Sequence, residues 1–141
     1  MTEHTHRFGI ALDGPVENRP RDARRWVMDR CARLQLECAS MNLPLLVSEL
    51  VTNACVHGAD PVTLRVELSR ARMRVEVEDS VPDWPDLQSP TDRDPSGRGL
   101  LIVDSLSHVW GVEETVTGKI VWAEVFVEEP GEHALQKAGC A

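Results

Sequence analysis

The sequence predicts an α+β fold: a two-layer α/β sandwich whose mostly antiparallel sheet carries its helices on one face. Three observations lead there. Apolar residues alternate over residues 62–68 and 73–77, which is the period of half-buried strands, and residues 119–128 read as a last strand with Val121, Ala123, Val125 and Val127 on one face and Ile120, Trp122 and Phe126 on the other, so that both faces are partly covered. Over residues 20–39, 45–58 and 100–108 they recur every three or four positions, the period of helices. The elements run strand, helix, helix, two strands, helix, two strands, so the strands pair as hairpins instead of alternating one by one with helices.

Residues 8–12 alternate around Phe8, Ile10 and Leu12 and read as a short strand, closed by Asp13-Gly14-Pro15. That strand lies at a sheet edge or pairs with another subunit. Pro20 suits the first turn of a helix over residues 20–39, where Ala23, Val27, Cys31, Leu34 and Cys38 share a face with Trp26 beside them. Arg21, Arg24, Arg25 and Arg33 make its other side basic, either a solvated face or a docking surface for an acidic partner.

Asn42-Leu43-Pro44 opens the central helix, LLVSELVTNACVHG. It has no Pro or Gly between Leu46 and His57. Glu49, Asn53 and His57 are four residues apart and form one polar stripe, while Val47, Leu50, Val51, Ala54 and Cys55 cover the other side. A helix this apolar is mostly inside, so its polar stripe faces an internal cleft or makes local bonds within the core. His57 reads best as a C-terminal histidine stabilised by the helix dipole.

Residues 62–68 and 73–79 form an antiparallel hairpin with one buried face. Asp79 is in phase with Met73, Val75 and Val77, which turns its carboxylate inward; the competing reading is that the strand has ended and Asp79 begins a turn. Residues 80–98 contain Pro82, Pro85, Pro90 and Pro95 without any period, the signature of a functional loop, here read as a lid anchored by Trp84. Gly97-Arg98-Gly99 precedes a helix starting at Leu100, and glycines there let free amides approach an anion. A strand near residues 109–112, a polar connection over 113–118 and a last strand over 119–128 complete the order.

The length of 141 residues suits one domain, placed at residues 8–128 between a flexible start (1–7) and a flexible tail (129–141). A net charge of −8 argues against nucleic acid as the main partner, though it leaves room for a nucleotide held by backbone amides. No apolar run approaches the roughly 18 residues of a membrane span, and the N-terminus lacks the layout of a signal peptide, which points to the cytoplasm and away from membranes. Cys31, Cys38, Cys55 and Cys140 form no CxxC pair and read as reduced packing residues.

The segments SELVTNACVHG, VEVED, SGRGLLIVDSLSHVWG and GKIVWAEV resemble, in order and spacing, the N-box, the strand into the first glycine box, the second glycine box and the final strand of the GHKL (Bergerat-fold) ATPases. Within that family the chain is most similar to anti-sigma factor serine/threonine kinases and their solitary actinobacterial relatives. The resemblance implies ATP and Mg²⁺ as cofactors. It implies Glu49 as general base, Asn53 as Mg²⁺ ligand, Asp79 as acceptor for the adenine amino group, and Gly97, Gly99 and Leu100 as amide donors to the phosphates at the lid hinge. It also implies a sigma factor and an antagonist protein as partners, and a homodimer. Gly118-Lys119 is not part of a P-loop.

Three departures from the family pattern stand out. Asp79-Ser80-Val81-Pro82 has no glycine after its aspartate. Ile120 is taken to stand where family members often carry an adenine-binding threonine. The second box keeps only Gly97 and Gly99. The leading expectation is an ATP-dependent serine/threonine kinase that binds a sigma factor. The alternatives are a nucleotide-sensing or nucleotide-free binding module and a detached histidine-kinase catalytic domain. The short lid and the absence of a phospho-acceptor hairpin argue against the last.

Overall fold

Strand β2 (Thr63–Ser69) and strand β3 (Arg72–Asp79) pair antiparallel, with Leu64 opposite Val77, Val66 opposite Val75 and Leu68 opposite Met73. This register puts every apolar residue of the hairpin on one face. The computed structural model describes residues 5–36, 42–69, 71–81 and 97–126. Around the hairpin, β1 (Thr5–Ala11), β4 (Val109–Glu114) and β5 (Lys119–Phe126) complete a five-stranded sheet in the order β1-β2-β3-β5-β4, with all pairs antiparallel. The β1 strand pairs with β2 at the sheet edge and starts at Thr5, so residues 5–7 belong to the sheet and not to a loose terminus: Thr5 finds Ser69 opposite it. The expected lid lies almost wholly outside the described residues, as do Cys38, Cys140 and the tail.

Helices α1 (Arg19–Arg33), α2 (Leu43–His57) and α3 (Gly97–Leu106) supply the second layer. The core forms between them and the inner sheet face. Val27, Leu46, Val47, Leu50 and Val51 meet Leu64, Val75, Val77, Val103, Val121 and Ala123, all buried. The expected α+β two-layer sandwich is thus the observed architecture.

Helix α1 is shorter than its periodicity suggests. Gln35 takes a left-handed φ of 58°, and Gln35 and Leu36 donate backbone hydrogen bonds to Ala32 (3.0 Å) and Cys31 (2.9 Å), which closes the helix six residues early. Cys31 is disulfide-bonded, which corrects its assignment as a reduced packing residue; its partner lies outside the described residues. Residue spacing reports that Cys31 shares a face with core residues, but says nothing about which thiol folds back onto it. The basic surface of α1 is not purely solvated either, because Arg24 donates to the Ser48 hydroxyl of α2 (2.7 Å).

Candidate nucleotide site

Helix α2 packs against α1, α3 and β3 at once, which makes it the central element. Its apolar residues Leu43, Leu46, Val47, Leu50, Val51 and Ala54 are buried, and its polar stripe comes along the side that remains. Glu49 is half-buried, and that burial raises its carboxyl above the ordinary value of 4.5. One turn later Asn53 is 2% exposed, yet neither its amide nitrogen nor its carbonyl oxygen has a hydrogen-bond partner among the described residues. A buried amide with nothing to bond is costly, and such groups mark ligand positions. His57 is exposed at the helix end, as its place in the stripe suggests.

Asp79 ends β3 and faces inward, 2% exposed. The strand persists through it because β5 supplies a partner: Asp79 stands opposite Lys119. Two glycines permit its position. A Cβ on Gly58, just past α2, would lie 2.5 Å from Asp79 Cγ and would also strike the Ala54 carbonyl. A Cβ on Gly118 would overlap the Asp79 carbonyl and come within 2.7 Å of Ser80 Cα. The end of α2, the end of β3 and the start of β5 therefore converge on one carboxylate.

The missing glycines after Asp79 have a physical substitute. The Val81 amide donates to Asp79 Oδ1 (2.8 Å), a side-chain turn that needs no left-handed residue. The Ser80 amide and hydroxyl donate to the Ala59 carbonyl at 3.0 Å each, and the hydroxyl also reaches the Asp60 carbonyl at 2.6 Å. Asp60 is in turn gripped by the buried Arg19 guanidinium through both oxygens (2.5 and 3.2 Å), while Arg19 Nε donates to the Gly14 carbonyl (2.8 Å). Arg19 holds the Asp60 carboxyl below the usual carboxylate value of 3.8.

The threonine position needs correction. Ile120 stands opposite Glu78, on the outer face, and is not beside Asp79. The residue beside Asp79 is Lys119, fully buried, whose Nζ donates to Asp79 Oδ1 (3.0 Å) and to the Val81 carbonyl (3.1 Å). Nζ also lies 3.0 Å from Oδ2, but that contact is not aligned as a hydrogen bond, and Oδ2 is left with charge contact alone. Sequence reasoning missed Lys119 although its signal was present: a lysine in phase with Val121, Ala123 and Val125 on a buried strand face needs an acid opposite it, and Asp79 is in phase on the neighbouring strand.

The glycine pair of the second box sits inside α3 and not ahead of it, since the helix begins at Gly97. Gly97, Arg98, Gly99 and Leu100 are its first four residues, so their amides have no carbonyl within the helix to bond. Leu100 anchors this turn with a side chain that is 2% exposed in the core.

A sheet covered on one face, with a central helix that carries a polar stripe and ends beside an inward-facing carboxylate at a strand end, is the layout of a GHKL ATPase. The chain belongs to that family: it matches the histidine kinase-like ATPase domain over residues 16–125. Among solved structures it is similar to the crystal structure of the RsbU and RsbW domains of Rv1364c from Mycobacterium tuberculosis, at 18% identity and a TM-score of 0.63. That match covers 86% of this chain and 32% of the solved one, so this chain spans about a third of its length. It is also similar to the histidine kinase domain of the Erythrobacter litoralis EL346 blue-light activated histidine kinase, at 27% identity and a TM-score of 0.47, over 64% of this chain and 46% of that one. No curated protein matches the chain. Among the described residues, no helix is long and apolar enough to cross a membrane.

The site fits the family's cofactors unevenly. The orphaned Asn53 amide suits a hard metal ion that takes oxygen ligands and keeps waters. The Asp79 carboxylate suits an adenine amino group less well, because Lys119 already neutralises it.

Proposed function

We propose that this protein is a cytoplasmic ATP-binding regulator of the anti-sigma factor type, which phosphorylates a serine or threonine of an antagonist protein and binds a sigma factor, alone or as a homodimer. The observation that carries the reading is the pairing, one helical turn apart, of a carboxyl raised by burial and a buried amide without a partner. The anti-sigma assignment rests on the motif resemblance; the RsbW-containing neighbour, at 18% identity, supports the fold.

Asn53 would hold Mg²⁺ through its side-chain oxygen, and the amides of Gly97, Gly99 and Leu100 would hold phosphate oxygens. Mg-ATP, held there, would supply the phosphoryl group, with ADP as the leaving group and the metal ion offsetting the phosphate charge. Glu49, on the same helix face, accepts the proton of the incoming hydroxyl. Its raised pKa suits this task, since a stronger base takes that proton more readily.

The test is transfer of labelled phosphate from ATP to a serine of a candidate antagonist, run beside a binding measurement. Glu49→Ala lowers transfer by about 10²–10⁴ and leaves nucleotide binding nearly intact. Asn53→Ala loses Mg²⁺-dependent binding and transfer together. A Glu49→Ala protein that transfers at the parent rate removes Glu49 from this role. The second reading is a binding module without kinase activity, and the Asp79–Lys119 pair favours it. Absence of transfer by the parent to any co-purifying antagonist would decide for it.

A further inference from the structure

Lys119 is the one buried cation of the described sheet interior, and it lies where the nucleotide reading needs a free acceptor. Both side chains of the Asp79–Lys119 pair are 0% exposed. Asp79 Oδ1 already accepts from Lys119 Nζ and from the Val81 amide. Oδ2 retains lone pairs, but a base amino group approaching it would come beside an ammonium 3.0 Å away. Lys119 itself is fastened at both Asp79 and the Val81 carbonyl. Gly58 presses against the Asp79 side chain and Gly118 against the Asp79 main-chain carbonyl, so neither the carboxylate nor the backbone that carries it has room to shift toward the end of α2 or the start of β5.

We propose that Lys119 is a specificity-determining residue that takes the base-recognising carboxylate out of use, so that this chain grips a triphosphate through its metal and amide groups and reads the nucleobase weakly or not at all. The inference rests on the nucleotide-binding reading of the same site. Its physical content is a change in the kind of hydrogen bond on offer. A free buried carboxylate gives a donor a charge-assisted bond, whereas one paired with an ammonium offers little more than a neutral acceptor. The difference corresponds to about tenfold or more in affinity.

The experiment measures binding of Mg-ATP, Mg-GTP and Mg-tripolyphosphate by calorimetry to the full chain and to Lys119→Thr and Lys119→Met, with thermal melting of each as a check on folding. The parent is expected to bind the three ligands within about threefold of one another. Both variants are expected to gain about tenfold or more for ATP, with no gain for tripolyphosphate. Adding Asp79→Asn to Lys119→Thr should then abolish the gain. A parent that prefers ATP to tripolyphosphate by a hundredfold overturns the proposal while the nucleotide reading stands, and this arm needs no variant to fold. Equal ATP affinity for parent and folded variants also overturns it. If neither the parent nor the variants bind any of the three ligands at millimolar concentration, the nucleotide reading falls and the proposal with it. Binding of ATP by the variants alone, with none of the three ligands bound by the parent, overturns the triphosphate grip proposed for this chain and limits the parent to the binding-module reading.

Discussion

Asn53 is buried in α2 with two unbonded amide atoms, an arrangement that costs stability in the free protein. Asn53→Leu, close in volume and apolar, should therefore melt at or above the parent temperature without ligand while losing all Mg²⁺-dependent triphosphate binding. A purely structural amide would give the opposite, a lower melting temperature. Glu49 makes a similar trade-off. Its folded pKa is raised above 4.5 by burial, so the folded state disfavours the ionised form. The cost is absent below the ordinary carboxylate value, grows as pH rises from there through the raised one and is fully present above it. Glu49→Gln should accordingly melt higher than the parent at pH 7, the two should converge near pH 4, and the acid limb of phosphate transfer should lie above pH 4.5. Identical melting curves at both pH values would contradict the burial argument. Asp79→Asn alone strands the Lys119 ammonium without a counter-charge, and breaking such a buried pair costs about 3–5 kcal/mol, measurable by denaturant unfolding. A loss within 1 kcal/mol would mean the pair is wet.

At the scale of elements, the site depends on where α2, β3 and β5 end. Gly58 and Gly118 are needed for close approach, not for unusual dihedrals: neither has a positive φ, and each would drive a Cβ into Asp79 or its neighbours. Gly118→Ala should cost about 1–3 kcal/mol by overpacking and distort the Asp79 turn, seen as lower thermal stability together with altered triphosphate binding. Arg19 works one layer further back, tying the turn after α2 to the segment after β1 through Asp60 and Gly14. Arg19→Met should lower the melting temperature at pH 7. Because Asp60 is held below 3.8, its contribution is present above that value and lost as pH falls through the depressed one, so the difference between Arg19→Met and the parent should narrow at lower pH.

For the whole molecule, a ligand that binds only the folded state stabilises it in proportion to the logarithm of its concentration. At a hundred times its dissociation constant, Mg-triphosphate should add about 2.7 kcal/mol, and a chelator should remove that gain. The sheet explains why a site distributed over the chain can respond as one body: β5 lies between β3 and β4, so Lys119 from near the end of the chain is held against Asp79 from its middle.

Periodicity alone determined the order of the elements, the buried face of the β2–β3 hairpin and the polar stripe of Glu49 and Asn53, because each depends on residues only two to four positions apart. The inward phase of Asp79 was legible for the same reason. The GHKL resemblance was legible in four short motifs. What only the tertiary structure decided includes contacts between residues far apart in the chain, Lys119 and not Ile120 beside Asp79 and the Arg19 clamp on Asp60, together with two features that periodicity does not encode, the disulfide at Cys31 and the left-handed stop at Gln35. A one-residue choice of register moves a side chain to the opposite face of a sheet. Sequence spacing carries no such register between β3 and β5, which are joined through a whole helix and another strand, and so the chemistry of the base-recognising carboxylate was settled by strand pairing.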